Sequence, residues 1–64
     1  MKPILLEIDT GRDKLETVNI NHVMRITDIG GGFSEIQFSD GGRQHVKWEY
    51  AECRKKFEDA VNNA

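Results

Sequence analysis

One cysteine, Cys53, occurs in 64 residues. No disulfide can form within the chain, and a lone thiol suits a reducing compartment better than a secreted one. The one proline, Pro3, stands at the start of the first apolar segment, where it costs no ladder bond. Apolar runs are short: Ile4-Leu5-Leu6 is broken at once by Glu7 and Asp9. That is too brief for a signal peptide or a membrane span, so a cytoplasmic protein with no membrane partner is expected. A basic excess is missing too, with nine Lys and Arg against eleven Asp and Glu and a net charge of −2. Nonspecific nucleic-acid binding usually shows as a net basic domain. At this length there is room for a single domain, residues 1–64. Such a chain buries only about 60% of the surface its unfolded form exposes, and association often supplies the missing stability.

Period-two alternation from Pro3 to Asp9, with Ile4, Leu6 and Ile8 on one side, predicts a first strand. Thr10-Gly11-Arg12-Asp13 is a turn with positive φ available at Gly11, and Leu15 to Val18 returns as a second strand. Asn19 to His22 reads as a brief turn, because Asn is depleted in strands. After it, Val23 and Ile26, three apart, both point inward, and Met24 to Ile29 forms a third strand ended by Gly30-Gly31-Gly32.

Ser34, Ile36 and Phe38 share one face of a fourth strand, and Gln44, Val46 and Trp48 one face of a fifth. A three-residue loop, Asp40-Gly41-Gly42, keeps both apolar sets on one core. It pairs Ile36 with Val46 and Glu35 with Lys47, and it requires a left-handed Gly42. From Glu49 the period changes. Tyr50, Cys53, Phe57 and Ala60 or Val61 form the stripe of an amphipathic helix, with Asn62-Asn63-Ala64 fraying out.

The expected fold is therefore α+β: a small antiparallel β-meander of four or five strands with one C-terminal α-helix packed on one face. The expected core is Ile4, Leu6, Ile8, Val18, Val23, Ile26, Ile36, Phe38, Val46, Trp48, Cys53, Phe57 and Val61. Trp48 falls either in the core or at its edge as an interface anchor.

From Val18-Asn19, through Val23 and Ile26, the glycine break, Ile36-Gln37-Phe38-Ser39-Asp40-Gly41 and Val46-Lys47, to the helix with Glu49 and Glu52, the chain resembles the FlbD-like family of small flagellar-operon proteins. The likeness spans about residues 4 to 61. A more distant one is to LytTR-type DNA-binding domains, whose last hairpin also reads as an aliphatic strand, Asp-Gly and a Val-led strand. Neither family supplies catalytic residues, and the resemblance implies a regulatory or assembly role.

His22, His45 and Cys53 lack the short paired spacing of structural zinc ligands, and Cys53 lies on the apolar stripe as a small hydrophobe. The glycine triplet joins two strands, whereas phosphate loops join a strand to a helix. No metal, cofactor or catalytic residue is expected. Two binding readings stand. In the first, the chain is a non-enzymatic interaction or accessory module that self-associates as a homodimer, through apolar residues left outside the core: Leu5, Leu15, Ile29 and Phe33. Pro3 to Asp9 is then a candidate edge strand. In the second, the chain is a small DNA-binding regulator contacting phosphates through Arg43, His45 and Lys47, with Arg25 nearby. The competing view of that basic row is ordinary cross-strand pairing with Glu35 and Gln37.

Overall fold

The computed structural model describes residues 2–63; Met1, and Ala64 of the predicted fraying tail, lie outside them. Five antiparallel strands run in meander order, β1 (Leu5–Asp9), β2 (Leu15–Asn19), β3 (Val23–Gly30), β4 (Phe33–Phe38) and β5 (Arg43–Val46), followed by the helix α1 (Tyr50–Asn62). This is the expected small α+β domain with a C-terminal helix packed against the sheet. The ladder divides into β1-β2 and β3-β4-β5, linked by a backbone hydrogen bond in which the Lys47 N–H donates to the Asp9 carbonyl at 2.8 Å. Helix α1 lies against β3, β1 and β4.

Between the two sheets, Ile20–His22 forms a single 3-10 turn capped by Asn19, whose side chain accepts from the Asn21 N–H at 3.0 Å. This is the predicted corner, and it buries a residue that the turn reading passed over, Ile20. The pairing Val23↔Phe38 then shifts to Arg25↔Gln37. Met24 is the extra residue of a β-bulge, and the bulge lets Val23 and Ile26 both pack on the core although they are three apart. A second shift between Asp28 and Gly30 does the same to Ile29. Both bulged side chains are consequently pushed outward, Met24 to 73% and Ile29 to 44% exposure.

The β4–β5 register differs from expectation by two residues. Ser34 pairs with Val46, Glu35 with His45, Ile36 with Gln44 and Gln37 with Arg43. The loop has three residues as expected but comprises Ser39-Asp40-Gly41. The Phe38 N–H donates to the Gly42 carbonyl at 2.8 Å and the Gly41 N–H to the Phe38 carbonyl at 3.0 Å. The left-handed residue is Gly41, φ 92°, and not Gly42, whose N–H is held by the Asp40 carboxylate at 2.8 Å. A slip of two keeps every side chain on its face, so the hydrophobic pattern is equally satisfied by both registers and the turn decides.

The core consists of Ile8, Ile20, Ile36, Val46, Cys53 and Phe57. Ile4, Leu6, Val18, Val23, Ile26, Phe38, Trp48 and Ala60 pack around it. Helix α1 turns Ala60 toward the sheet and leaves Val61 54% exposed, so Val61 is not a core residue. Trp48 is half-buried against the core, with Lys56 Nζ 5.0 Å from its ring centroid. Its carbonyl accepts from the fully buried Ser34 hydroxyl at 2.9 Å, which satisfies a polar group on the inner face of β4.

Candidate functional site

Alternation along β4 and β5 turns Glu35, Gln37, Arg43 and His45 to the outer face of the three-stranded sheet. In register, Arg25, Gln37 and Arg43 form one row across it, and Thr27, Glu35 and His45 the next. Arg25, Arg43, His45 and Lys47 are all exposed. The sheet thus brings together Arg25, Arg43 and His45, with Lys47 just beyond β5. His45 Nε2 lies 3.1 Å from Glu35 Oε2, so a carboxylate occupies the centre of the basic row. A carboxylate there offsets part of the attraction that the neighbouring cations would exert on a phosphate.

The apolar residues expected to mediate self-association are dispersed. Leu5 and Leu15 share the outer face of the β1–β2 hairpin but at opposite ends, beside Asn19 and Asp9 respectively. Ile29 sits at the glycine turn, and Phe33 is half-buried with its ring over Gly11. Strand β1 is tied at Asp9 by Lys47.

A different surface does gather apolar side chains. Strand β3 ends the order β3-β4-β5, so one of its edges has no neighbouring strand. Alongside it, against α1, runs a groove of about 300 Å³ lined by Ile20, Met24, Ile26, Tyr50, Phe57 and Val61, with Arg25 and Arg54 as its charged members. Met24 is there because the bulge expels it, and Val61 because α1 is rotated to turn Ala60 toward the core. Tyr50, Arg54, Phe57 and Val61 fall at i, i+4, i+7 and i+11, a second stripe beside the inward stripe of buried Cys53 and Phe57 and half-buried Ala60. The apolar arc of the helix is wider than the sheet can cover. That width is the signal in the sequence that would have located the groove.

A roomier hollow, about 560 Å³, lies elsewhere, between β2, the 3-10 turn and the β4–β5 loop. It is lined by Val18, Asn19, His22, Phe38, Ser39 and Asp40. Ser39 Oγ is 3.4 Å from His22 Nδ1, at the outer limit of a hydrogen bond, and both residues are exposed. The Asp40 carboxylate is engaged with the Gly42 N–H and does not orient the imidazole, so the three do not form a nucleophile–base–orienter chain. Cys53 is fully buried, and burial, aided by the Glu52 charge, pushes its thiol up to about 11. Little thiolate is present at neutral pH. Among the described residues no three of His, Cys, Asp and Glu lie close enough to hold a metal ion, and no helix is long and apolar enough to cross a membrane.

Comparison of the chain with protein-family models, with curated proteins and with solved structures gives no match in any of the three.

Proposed function

We propose that this chain is a cytoplasmic, non-enzymatic interaction module that self-associates, and that its docking face is the groove between β3 and α1. One observation carries the reading. Of the six large hydrophobic residues left exposed among the described residues, Met24, Tyr50 and Val61 line this single groove beside a strand edge with no neighbouring strand. Contiguous apolar surface rimmed by charge is the mark of an interface. The resemblance to small flagellar-operon proteins favours a regulatory or assembly role for the module. Against DNA binding stand the net charge of −2 and the carboxylate of Glu35 within the basic row.

Sedimentation equilibrium on the full chain over micromolar to near-millimolar concentration tests the proposal. A species of twice the 7.3 kDa chain mass is expected. Val61→Glu returns it to monomer and Leu5→Glu leaves it a dimer. A single monomeric species throughout overturns the reading, as does duplex-DNA binding that weakens steeply with salt.

A further inference from the structure

The groove flank of α1 carries charge as well as apolar surface, and its pattern is self-complementary. Tyr50 and Val61 lie toward its two ends. Between them Arg54 Nη2 meets Glu58 Oε1 at 3.0 Å, both side chains about 60% exposed. We infer that two copies of the chain pair through this flank across a two-fold axis. The helices then run antiparallel at the level of residue 56, so that Arg54 faces the partner's Glu58 and Tyr50 faces the partner's Val61. The inference rests on the self-association reading above and specifies its geometry.

The antiparallel relation follows from the spacing. On an α-helix, position 54 lies two residues before 56 and position 58 two after, on neighbouring parts of one face. A two-fold axis at 56 superposes the height of one on that of the other's copy. It exchanges the intrachain ion pair of each copy for two interchain pairs, and it leaves no like charges opposed at these four positions. It also brings Tyr50 and Val61 of each chain, with Met24 behind them, into contact at both ends of the seam. A two-fold interface uses the same patch on both subunits, and this patch is one that can meet itself. A parallel arrangement would set Arg54 against Arg54 and Glu58 against Glu58.

Charge reversal tests the geometry, read by sedimentation and by a mass-tagged exchange assay. Arg54→Glu alone opposes two carboxylates at both symmetry-related contacts, and Glu58→Arg alone opposes two cations. Each is expected to weaken the homodimer by about tenfold, given a fraction of a kcal/mol to 1 kcal/mol per exposed pair taken twice. Mixed in equal amounts, the two single variants form a heterodimer of near wild-type affinity. The double variant R54E/E58R homodimerises again. Recovery in the mixture cannot come from the intrachain pair, because neither chain in it carries one. Both side chains are exposed, so circular dichroism should find all three variants folded. A wild-type dimer whose affinity is unchanged in both single variants, or a mixture that fails to recover, overturns this geometry and leaves self-association standing. A wild-type chain that never dimerises overturns both.

Discussion

The turn that joins β1 to β2 and the turn that joins β3 to β4 both pass through left-handed glycine, yet they make different demands on the chain. In the first, Gly11 has φ 80°, and a Cβ placed on it would lie 3.1 and 3.2 Å from Cε2 and Cζ of Phe33 and 3.5 Å from Cβ of Lys47. In the second, Gly31 and Gly32 have φ 66° and 80°, the positive pair that a two-residue hairpin turn prefers, and nothing stands within 4 Å of either. The open turn needs glycine for its backbone alone. The closed turn needs it twice, because Gly11 is where the two sheets touch: Phe33 belongs to the three-stranded sheet and Lys47 bonds to the end of β1.

The largest effect that tests this contrast is Gly11→Ala. A left-handed alanine costs about 1–2 kcal/mol, and displacing the Phe33 ring adds about 1 kcal/mol or more of overpacking. A loss of about 3 kcal/mol in chemical denaturation is expected, against about 1 kcal/mol for Gly31→Ala. In a domain of this size each kcal/mol lowers the melting temperature by roughly 4–8 °C. Combining Gly11→Ala with Phe33→Leu should be less destabilising than the sum of the two, as for residues in contact. Equal losses at Gly11 and Gly31, with additive behaviour toward Phe33, would show that packing plays no part.

How much of this was legible in the sequence depends on which residues carried the signal. The strands and helix follow from changes of period, so β1 to β5 and α1 appear where Ile4-Leu6-Ile8, Ser34-Ile36-Phe38 and Cys53-Phe57 predict them. Positive φ at Gly11 was equally plain, but its contact with Phe33 was not, since residues 11 and 33 meet only once the two sheets are placed. Ile20 was hidden because the asparagines around it mark a turn, and a turn is ordinarily exposed. The groove was hidden for a related reason. It exists because the bulge expels Met24 and because α1 chooses Ala60 over Val61, two details of register and rotation that periodicity leaves open. On the basic row, alternation identified the outward residues, and the register then chose His45 and not Lys47 as the partner of Glu35.

The β4–β5 loop offers a smaller effect that sharpens the same distinction between backbone demand and packing demand. Its adjacent glycines divide the two roles. Gly41 is left-handed with open space around it, whereas Gly42 lacks positive φ but would place a Cβ 3.0 Å from Asp40 Oδ1. Gly41→Val should cost about 2 kcal/mol, since a β-branched residue is poorly tolerated there. Gly42→Val should cost about half as much, because the exposed carboxylate can swing aside at the loss of one hydrogen bond worth roughly 1 kcal/mol. The reverse order, measured by urea unfolding, would return the register to an Asp40-Gly41-Gly42 loop.

The smallest effect concerns Asp13, which among the described residues alone takes a left-handed conformation without being glycine, at φ 54° in the same turn as Gly11. Aspartate tolerates this region better than most residues because its short polar side chain can bond locally. In the same turn the Asp9 carboxylate accepts from the Gly11 N–H at 2.8 Å. Asp13 itself is exposed. Asp13→Gly removes the steric cost in the folded state but adds conformational freedom to the unfolded one, and these oppose each other. The steric term is the larger for an L-residue at positive φ, so the substitution should stabilise by a few tenths of a kcal/mol and certainly less than about 1 kcal/mol. Asp13→Ala should destabilise, because alanine keeps the Cβ and loses the carboxylate. Paired melts of the two variants therefore separate backbone relief from side-chain bonding at a single position. If glycine and alanine both destabilise, the Asp13 carboxylate is holding the turn, and the closed hairpin depends on polar contacts as well as on the absence of a side chain at Gly11.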